Sequence, residues 1–405
     1  MAPTHMGSQG VQRRRFLIGG MSALAPMPLG ARADSTVRIF LCGDVMTGRG
    51  IDQVLPHPNA PQLYERYVAS AMDYVRLAER RNGPIPRPVA CSYIWGEARA
   101  EWARRRPHVR IMNLETSLTT SLDHATDKEI HYRMSPRNAA CLTASGADCF
   151  VLSNNHVLDW GEAGLIETLR VLNRLGVKVC GAGPDAGQAA APTVLPAPGG
   201  ARVIVVGFCT EDSGVPANWA AGPSRPGVRL VEPRVEVAVQ LARQLAAIRR
   251  PRDIVVASIH WGPNWGYGVP PAHRRLAHAL IDIAGVSIVH GHSSHHPMAI
   301  EVHNGRLILY GCGDFLNDYE GIEGHEAYRS DLSLMYFADV DAATGALRAL
   351  GMKPLQMRNF RLNRPSETDT AWIRSRLDRE CRPFGARVRR RGAALELAWA
   401  QARVA

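Results

Sequence analysis

Five apolar, strand-like runs in this chain each stop at a residue that can ligate a metal. Ile39 to Gly43 stops at Asp44, Ile111 to Leu114 at Glu115, and Cys149 to Asn154 at Asn155 and His156. Ile254 to Ile259 stops at His260, and Ser287 to Gly291 at His292, with His295 close behind. In an α/β protein the loops at the carboxyl ends of neighbouring strands open onto one crevice, so residues scattered from position 44 to position 295 can meet there. The pattern predicts one shared polar site at the edge of a sheet.

From Val37 onward, short β-branched runs alternate with amphipathic stretches, the pattern of an α/β chain. Strands are expected over 37–42, 109–113, 149–152, 177–180, 202–207, 254–259, 286–290, 299–303, 306–310 and 333–338, and helices over 162–175, 233–248 and 272–284. Asn304-Gly305 between two apolar runs is a two-residue hairpin signal, so an antiparallel section follows the parallel one. The expected fold class is α/β, with two facing mixed β-sheets flanked by helices. Residues 53–107 read as a helical insertion broken at Pro84, Pro86 and Pro88, and C-terminal helices follow Ser366 as N-cap, ahead of Trp372, Ile373 and Leu377. The expected domains are a leader over 1–33, one domain over 34–358 and a helical extension over 359–405.

The leader reads Arg13-Arg14-Arg15-Phe16-Leu17-Ile18, then a short apolar stretch, then Ala31-Arg32-Ala33, the small-x-small form of a cleavage site. It reads as a twin-arginine export signal, which predicts a periplasmic or extracellular protein. Its apolar stretch is too short to span a bilayer and no later run of 18 apolar residues occurs, so no transmembrane anchor is expected. Removing residues 1–33 takes four arginines and no acid from a net charge of +11, leaving about +7, a bias toward an anionic substrate or polymer. Arg104 to Arg106 and Arg389 to Arg391 have few aromatic neighbours, which argues against nucleic acid. Eight cysteines form no C-x-x-C pair; export permits disulfides, but spacing does not reveal their pairing.

Alone, Asp44 is an ordinary turn residue and Glu115 a strand-end charge. Ser153 to Gly161 is more informative, packing amide, imidazole and carboxylate between a buried strand and a helix start. There Asn155 can offer a metal its carbonyl oxygen, and His156 can bind an anion or protonate a leaving group, in competition with a simple Asx turn and helix cap. His260 precedes Trp261-Gly262-Pro263-Asn264-Trp265-Gly266, a candidate substrate wall. His290, His292, His295 and His296 crowd one strand end, which metal ligation explains better than packing.

Taken in order, Gly-Asp-Val-Met-x-Gly-Arg, Asn-Leu-Glu-Thr, Asn-Asn-His-x-x-Asp-x-Gly, Ile-His-Trp-Gly and Gly-His-x-x-His resemble the CapA family of poly-γ-glutamate capsule-synthesis proteins. The resemblance runs from about Val37 to about Phe337. That family is similar in fold to calcineurin-like metallophosphoesterases, which implies a four-layer sandwich. The resemblance implies that Asp44, Glu115, Asn155, His260, His292 and His295 ligate one or two divalent ions (Mn, Fe or Zn). It implies that His156, placed by Asp159, is a general acid or transition-state stabiliser. Arg49 and Arg133 are expected to clamp an anionic group. Met46 stands where the wider superfamily has His, Glu115 where it has Asp, and Asp314 where the family has Asn.

The predicted function is that of an exported metal-dependent hydrolase or transferase acting on an anionic phosphoester or amide. By resemblance it is tied to capsule, poly-γ-glutamate or other envelope polymers. Its expected partners are an anionic polymer or small anionic substrate and an envelope-biosynthesis protein. The alternative is a non-catalytic, metal-containing envelope component that binds polymer or a partner subunit. A serine hydrolase using Ser293 or Ser294 ranks below both, because no Gly-x-Ser-x-Gly elbow is present.

Overall fold

In the computed structural model, which describes residues 36–400, two large mixed sheets carry the chain. The ten-stranded sheet is built around Thr36–Val45, which pairs in parallel with Val109–Leu114 on one side and antiparallel with Leu332–Asp341 on the other. The six-stranded sheet is built around Asp253–His260, parallel to both Arg202–Cys209 and Ile288–His292. Both central strands are apolar on both faces, as strands buried on two sides must be.

Alternation along the strands sorts their side chains into three apolar clusters. Val37, Ile39, Leu41 and Ile111 of the first sheet share a cluster with Val203, Val205, Ile254, Val256 and Ile288 of the second, so these faces bury each other. Phe40, Cys42, Met112 and Phe150 point the opposite way, onto Val75, Ala78 and Leu165 of the helices Ala71–Asn82 and Gly161–Arg174. Ile204, Val206, Val255 and Ala257 turn to Leu241, Leu245, Leu276 and Leu280 of the helices Val235–Ala246 and Pro271–Asp282. The result is a mixed α/β arrangement, and the hairpin at Asn304-Gly305 forms as expected.

The C-terminal expectation needs correction. Ser366 caps the Glu367–Cys381 helix in a capping box with Asp369, but the remainder is a β-hairpin, Ala386–Arg391 with Ala394–Trp399, on the edge of the ten-stranded sheet. Its Ala, Leu, Glu and Arg favour helix, yet Ala386, Val388, Leu395 and Leu397 alternate with a period of two and add to the core between the sheets. The strand Leu347–Arg358, which joins this hairpin to the sheet, also went unpredicted. The expected export signal lies outside the described residues. Among the described residues no helix is long and apolar enough to cross a membrane.

Candidate metal centre

A β-bulge makes the site. Cys42 stands opposite Met112, but Asp44 stands opposite Asn113, so Gly43 is an extra residue in the Thr36–Val45 strand. Strict alternation would aim Asp44 at the helices beside Phe40 and Cys42; the slip of one residue turns it to the face shared with the second sheet. The bulge requires glycine, since a Cβ at Gly43 would lie 1.8 Å from the Gly313 carbonyl oxygen. The strand then changes partner, pairing Asp44 with Asp314 of Asp314–Leu316.

Asn113 donates to Asp44 Oδ1 at 2.7 Å and more weakly to Glu115 Oε2 at 3.4 Å, so one amide holds the two carboxylates together. Ser293, at φ 99°, donates its backbone N–H to Asp44 Oδ2 at 3.2 Å. Burial and then the Asp314 carboxylate push Asp44 up to about 7, and burial and then Asp44 push Glu115 well above its ordinary value. A group of buried acids that resists ionisation is what a bound cation relieves.

The second sheet supplies imidazoles in register, His260 opposite His292 and Ser258 opposite His290. Their protons can be assigned in sequence. His290 Nε2 donates to the Cys42 carbonyl at 2.8 Å, and burial lowers this histidine to about 4, so it is neutral and its Nδ1 accepts. The Ser258 hydroxyl donates to that Nδ1 at 2.9 Å and accepts from His292 Nε2 at 2.9 Å. His292, held well below its ordinary pKa by burial, is left with a bare Nδ1 lone pair 3.9 Å from Asp44 Oδ1. His260, lowered likewise, has Nε2 on Asn155 Oδ1 at 3.1 Å, so its Nδ1 is also bare, 2.9 Å from that of His292. Two lone pairs converging beside a carboxylate repel unless a cation lies between them.

Two groups of donor atoms lie within 4.8 Å of one another, Asp44 with His260 and His292, and Asp44 with His295 and Asp314. Neutral imidazole, carboxylate and amide oxygen form a donor set that fits Mn, Fe or Zn. His295 joins through Asp314, its Nδ1 2.8 Å from Oδ1; burial opposes its protonation, but the carboxylate outweighs burial and raises its pKa. Met46 is buried near the site and its sulfur accepts from Tyr319 Oη at 3.8 Å.

His156 Nδ1 lies 2.6 Å from Asp159 Oδ2, and Asp159 also accepts from Lys128 Nζ at 2.6 Å and from the Tyr132 N–H at 2.7 Å. Burial outweighs the aspartate and lowers His156 to about 4, so Nε2, 3.9 Å from Glu115 Oε1, carries a lone pair. Lys128 also donates to the Asn155 carbonyl oxygen. No pattern around Lys128 marks it in the sequence, Asn113 and Ser258 read there as strand interior, and His290, expected among metal ligands, stands one step back and bonds the Cys42 carbonyl and Ser258.

The two arginines expected to clamp an anion both have protein partners. Arg49 is committed to Asp318 and to Glu65, Nη1 to Oε1 at 3.1 Å, although it still lines the cleft. Arg133 is spent on the carbonyl oxygens of Ser121 and Ala60 and lies 4.0 Å over the Trp160 ring. Burial forces both guanidinium groups to find protein partners. The cleft itself, about 880 Å³, runs past His295, Tyr319, Trp265 and Tyr132 and is bordered by Arg80, Arg81 and Arg358, all exposed.

Comparison with known proteins gives a consistent result. Residues 38–319 match the family described as bacterial capsule synthesis protein PGA_cap. A relative in Mycobacterium tuberculosis, named a "Probable polyglutamine synthesis accessory protein", is 48% identical over 354 residues, 87% of this chain and 93% of the relative. The PGA biosynthesis protein CapA of Bacillus subtilis is 27% identical over 287 residues, 71% of this chain and 64% of that protein. The capsule biosynthesis protein CapA of Bacillus anthracis is 24% identical over 298 residues, 73% of this chain and 63% of that protein.

Proposed function

The chain belongs to the bacterial capsule synthesis protein PGA_cap family, a metallophosphoesterase-like group related to capsule and polyglutamate synthesis, and from that premise we propose that it is an exported, metal-dependent hydrolase or transferase acting on an anionic envelope polymer. The observation that carries the metal dependence is the convergence of the His260 and His292 lone pairs on Asp44. Reading the three apolar clusters as the seams of a four-layer sandwich fits the same family. The exposed Arg80, Arg81 and Arg358 at the border of the cleft, which Glu320, Glu323, Glu326 and Asp331 also line, support an anionic polymer such as a glutamate polymer. Export is supported by the arginine motif at Arg13 and by the Cys91–Cys141 disulfide, since such bonds persist in oxidising compartments.

Asp44, His260 and His292 would hold one ion, and His295 with Asp314 would complete a second position around the shared Asp44, whereas Glu115 and Asn155 stand at the Nε2 side of His260. A bound divalent ion would supply Lewis acidity toward a phosphoryl or carbonyl oxygen. Neutral His156 would take up a proton at its bare Nε2 and pass it on, while Asp159 fixes the other nitrogen and Lys128 fixes Asp159. Tyr132, Tyr319 and Trp265 line the cleft and offer ring faces to a bound substrate.

The test is to count metal in the chain and assay phosphoesters and γ-glutamyl amides with His156→Ala beside wild type. Turnover should fall by about 10²- to 10⁴-fold while the metal stays bound. A wild type that binds metal and polymer yet turns nothing over would select the second reading, a non-catalytic envelope component. Met46, where superfamily enzymes carry an imidazole, favours that reading.

A further inference from the structure

Two tyrosine hydroxyls meet in the cleft beside the metal centre. The Tyr132 ring stands edge-on to the His156 ring, with centroids 4.6 Å apart, and the Tyr319 ring stands edge-on to the His295 ring, with centroids 5.3 Å apart. Tyr132 Oη donates to Tyr319 Oη at 3.3 Å. The pair therefore links His156, the proton carrier, to His295, whose ligand atom lies with those of Asp44 and Asp314. Both tyrosines line the cleft.

The chain holds each of them from behind. The Asn317 amide donates to Asp314 Oδ2 at 2.8 Å, and its oxygen accepts from the Tyr319 N–H at 3.2 Å, so one side chain ties Tyr319 to a carboxylate of the metal centre. The Arg49 guanidinium lies 4.4 Å over the Tyr132 ring and donates through Nε to Asp318 Oδ2 at 3.2 Å. A buried guanidinium, paired with carboxylate and stacked on a ring, keeps that ring in place.

Having accepted from Tyr132, Tyr319 still has its own proton to give. The acceptors on offer are the Met46 sulfur at 3.8 Å and His295 Nε2 at 3.5 Å, both beyond the about 2.5–3.0 Å at which a hydroxyl bonds well to oxygen. Burial and then the Asp314 carboxylate push the Tyr319 hydroxyl well above its ordinary value, so it keeps that proton at neutral pH. Donation from Tyr132 polarises it further. A protonated donor with no good partner, fixed beside a reacting centre, suits an oxygen that arrives with the substrate.

We propose that the Tyr319 hydroxyl is a further catalytic group of the crevice: it donates a hydrogen bond to the phosphoryl or carbonyl oxygen on which negative charge gathers, with Tyr132 and Arg49 as its positioning residues. Its proton stays on the tyrosine throughout, and no bond to it is made or broken. The inference rests on the reading of the crevice as a metal-dependent hydrolase or transferase.

The test uses the metal-loaded full chain with inorganic phosphate as the probe, which presents charged oxygens without any reaction. Tyr319→Phe removes the hydroxyl and keeps the ring. Calorimetric titration should show phosphate affinity lower by about 10- to 100-fold, with the metal count unchanged and the fold intact by circular dichroism. On any phosphoester or amide that the wild type turns over, kcat should fall by about 10²- to 10³-fold while KM changes little. Equal phosphate affinity in wild type and Tyr319→Phe overturns the proposal and leaves the metal-dependent reading standing. A wild type that holds metal but turns nothing over defeats the hydrolase reading, and the phosphate titration still decides whether Tyr319 is the donor. A metal-loaded wild type that binds no phosphate overturns the proposal outright. Should Tyr319→Phe not fold, Tyr132→Phe must lower phosphate affinity, and an unchanged value overturns the proposal equally.

Discussion

The Ser258 hydroxyl sets the state of a histidine it does not resemble chemically. By donating to His290 and accepting from His292, it strips His292 Nδ1 of its proton and aims the lone pair at Asp44. Ser258→Ala removes no ligand, so its effect isolates this orienting role. We expect metal affinity to fall by about 10- to 100-fold with the fold intact, measured by calorimetric titration beside circular dichroism. His260 and His292 were legible in the sequence because each ends an apolar run, which is unusual enough to be noticed. Ser258 was not, because a serine inside a strand looks the same whether it fills space or relays a proton, and the histidine cluster around His290 suggests a ligand there rather than a relay. The partners of Arg133 were hidden for the opposite reason: an arginine beside a polar motif suggests substrate, and the Trp160 ring and two carbonyl groups that it meets come from distant segments.

At the scale of elements, the bulge at Gly43 is the feature on which the site turns. Gly43→Ala drives a methyl group into the Gly313 carbonyl, and either the bulge or the Asp314–Leu316 strand must shift. A loss of about 1–3 kcal/mol is expected in urea unfolding, with a disproportionate drop in bound metal, because Asp44 and Asp314 are displaced together. The strands on either side were readable from their apolar runs, whereas a bulge is fixed by pairing between distant segments and has only a glycine to announce it. The C-terminal hairpin was misread through propensity. It is pinned by Asp378, which accepts from Arg387, Arg382 and the Val388 N–H. The Arg387 hydrogen bond, ahead of the others, holds Asp378 well below the ordinary carboxylate range. Its folded pKa being depressed, the stability it adds is present above the unfolded value, about 3.9, and is lost as pH falls through the folded one. Asp378→Asn should therefore flatten the acid limb of the stability curve below about pH 4 and leave its slope near neutrality unchanged.

For the whole molecule, charge and covalent closure matter more than any single contact. With Arg80, Arg81 and Arg358 bordering the cleft, binding of a glutamate polymer should weaken steeply with added salt. Arg80→Glu/Arg81→Glu should weaken it further and flatten that salt dependence, as read by fluorescence anisotropy. The Cys91–Cys141 disulfide joins positions 50 residues apart, and Cys91→Ser/Cys141→Ser should cost about 2–4 kcal/mol in unfolding experiments. The partner change of Thr36–Val45 has a further consequence, for the order in which the protein comes into being. Thr36–Val45, the first strand among the described residues, receives its neighbours Asp314–Leu316 and Leu332–Asp341 late in synthesis. Asp44 therefore waits, without its opposing wall, until most of the chain has left the ribosome, and such distant closures are slow. On the metal-dependent reading, the position shared by Asp44 and Asp314 would take its ion only from the pool around the nearly finished chain. The compartment in which folding ends would then weigh, beside the selectivity of the ligands, on which metal that position takes.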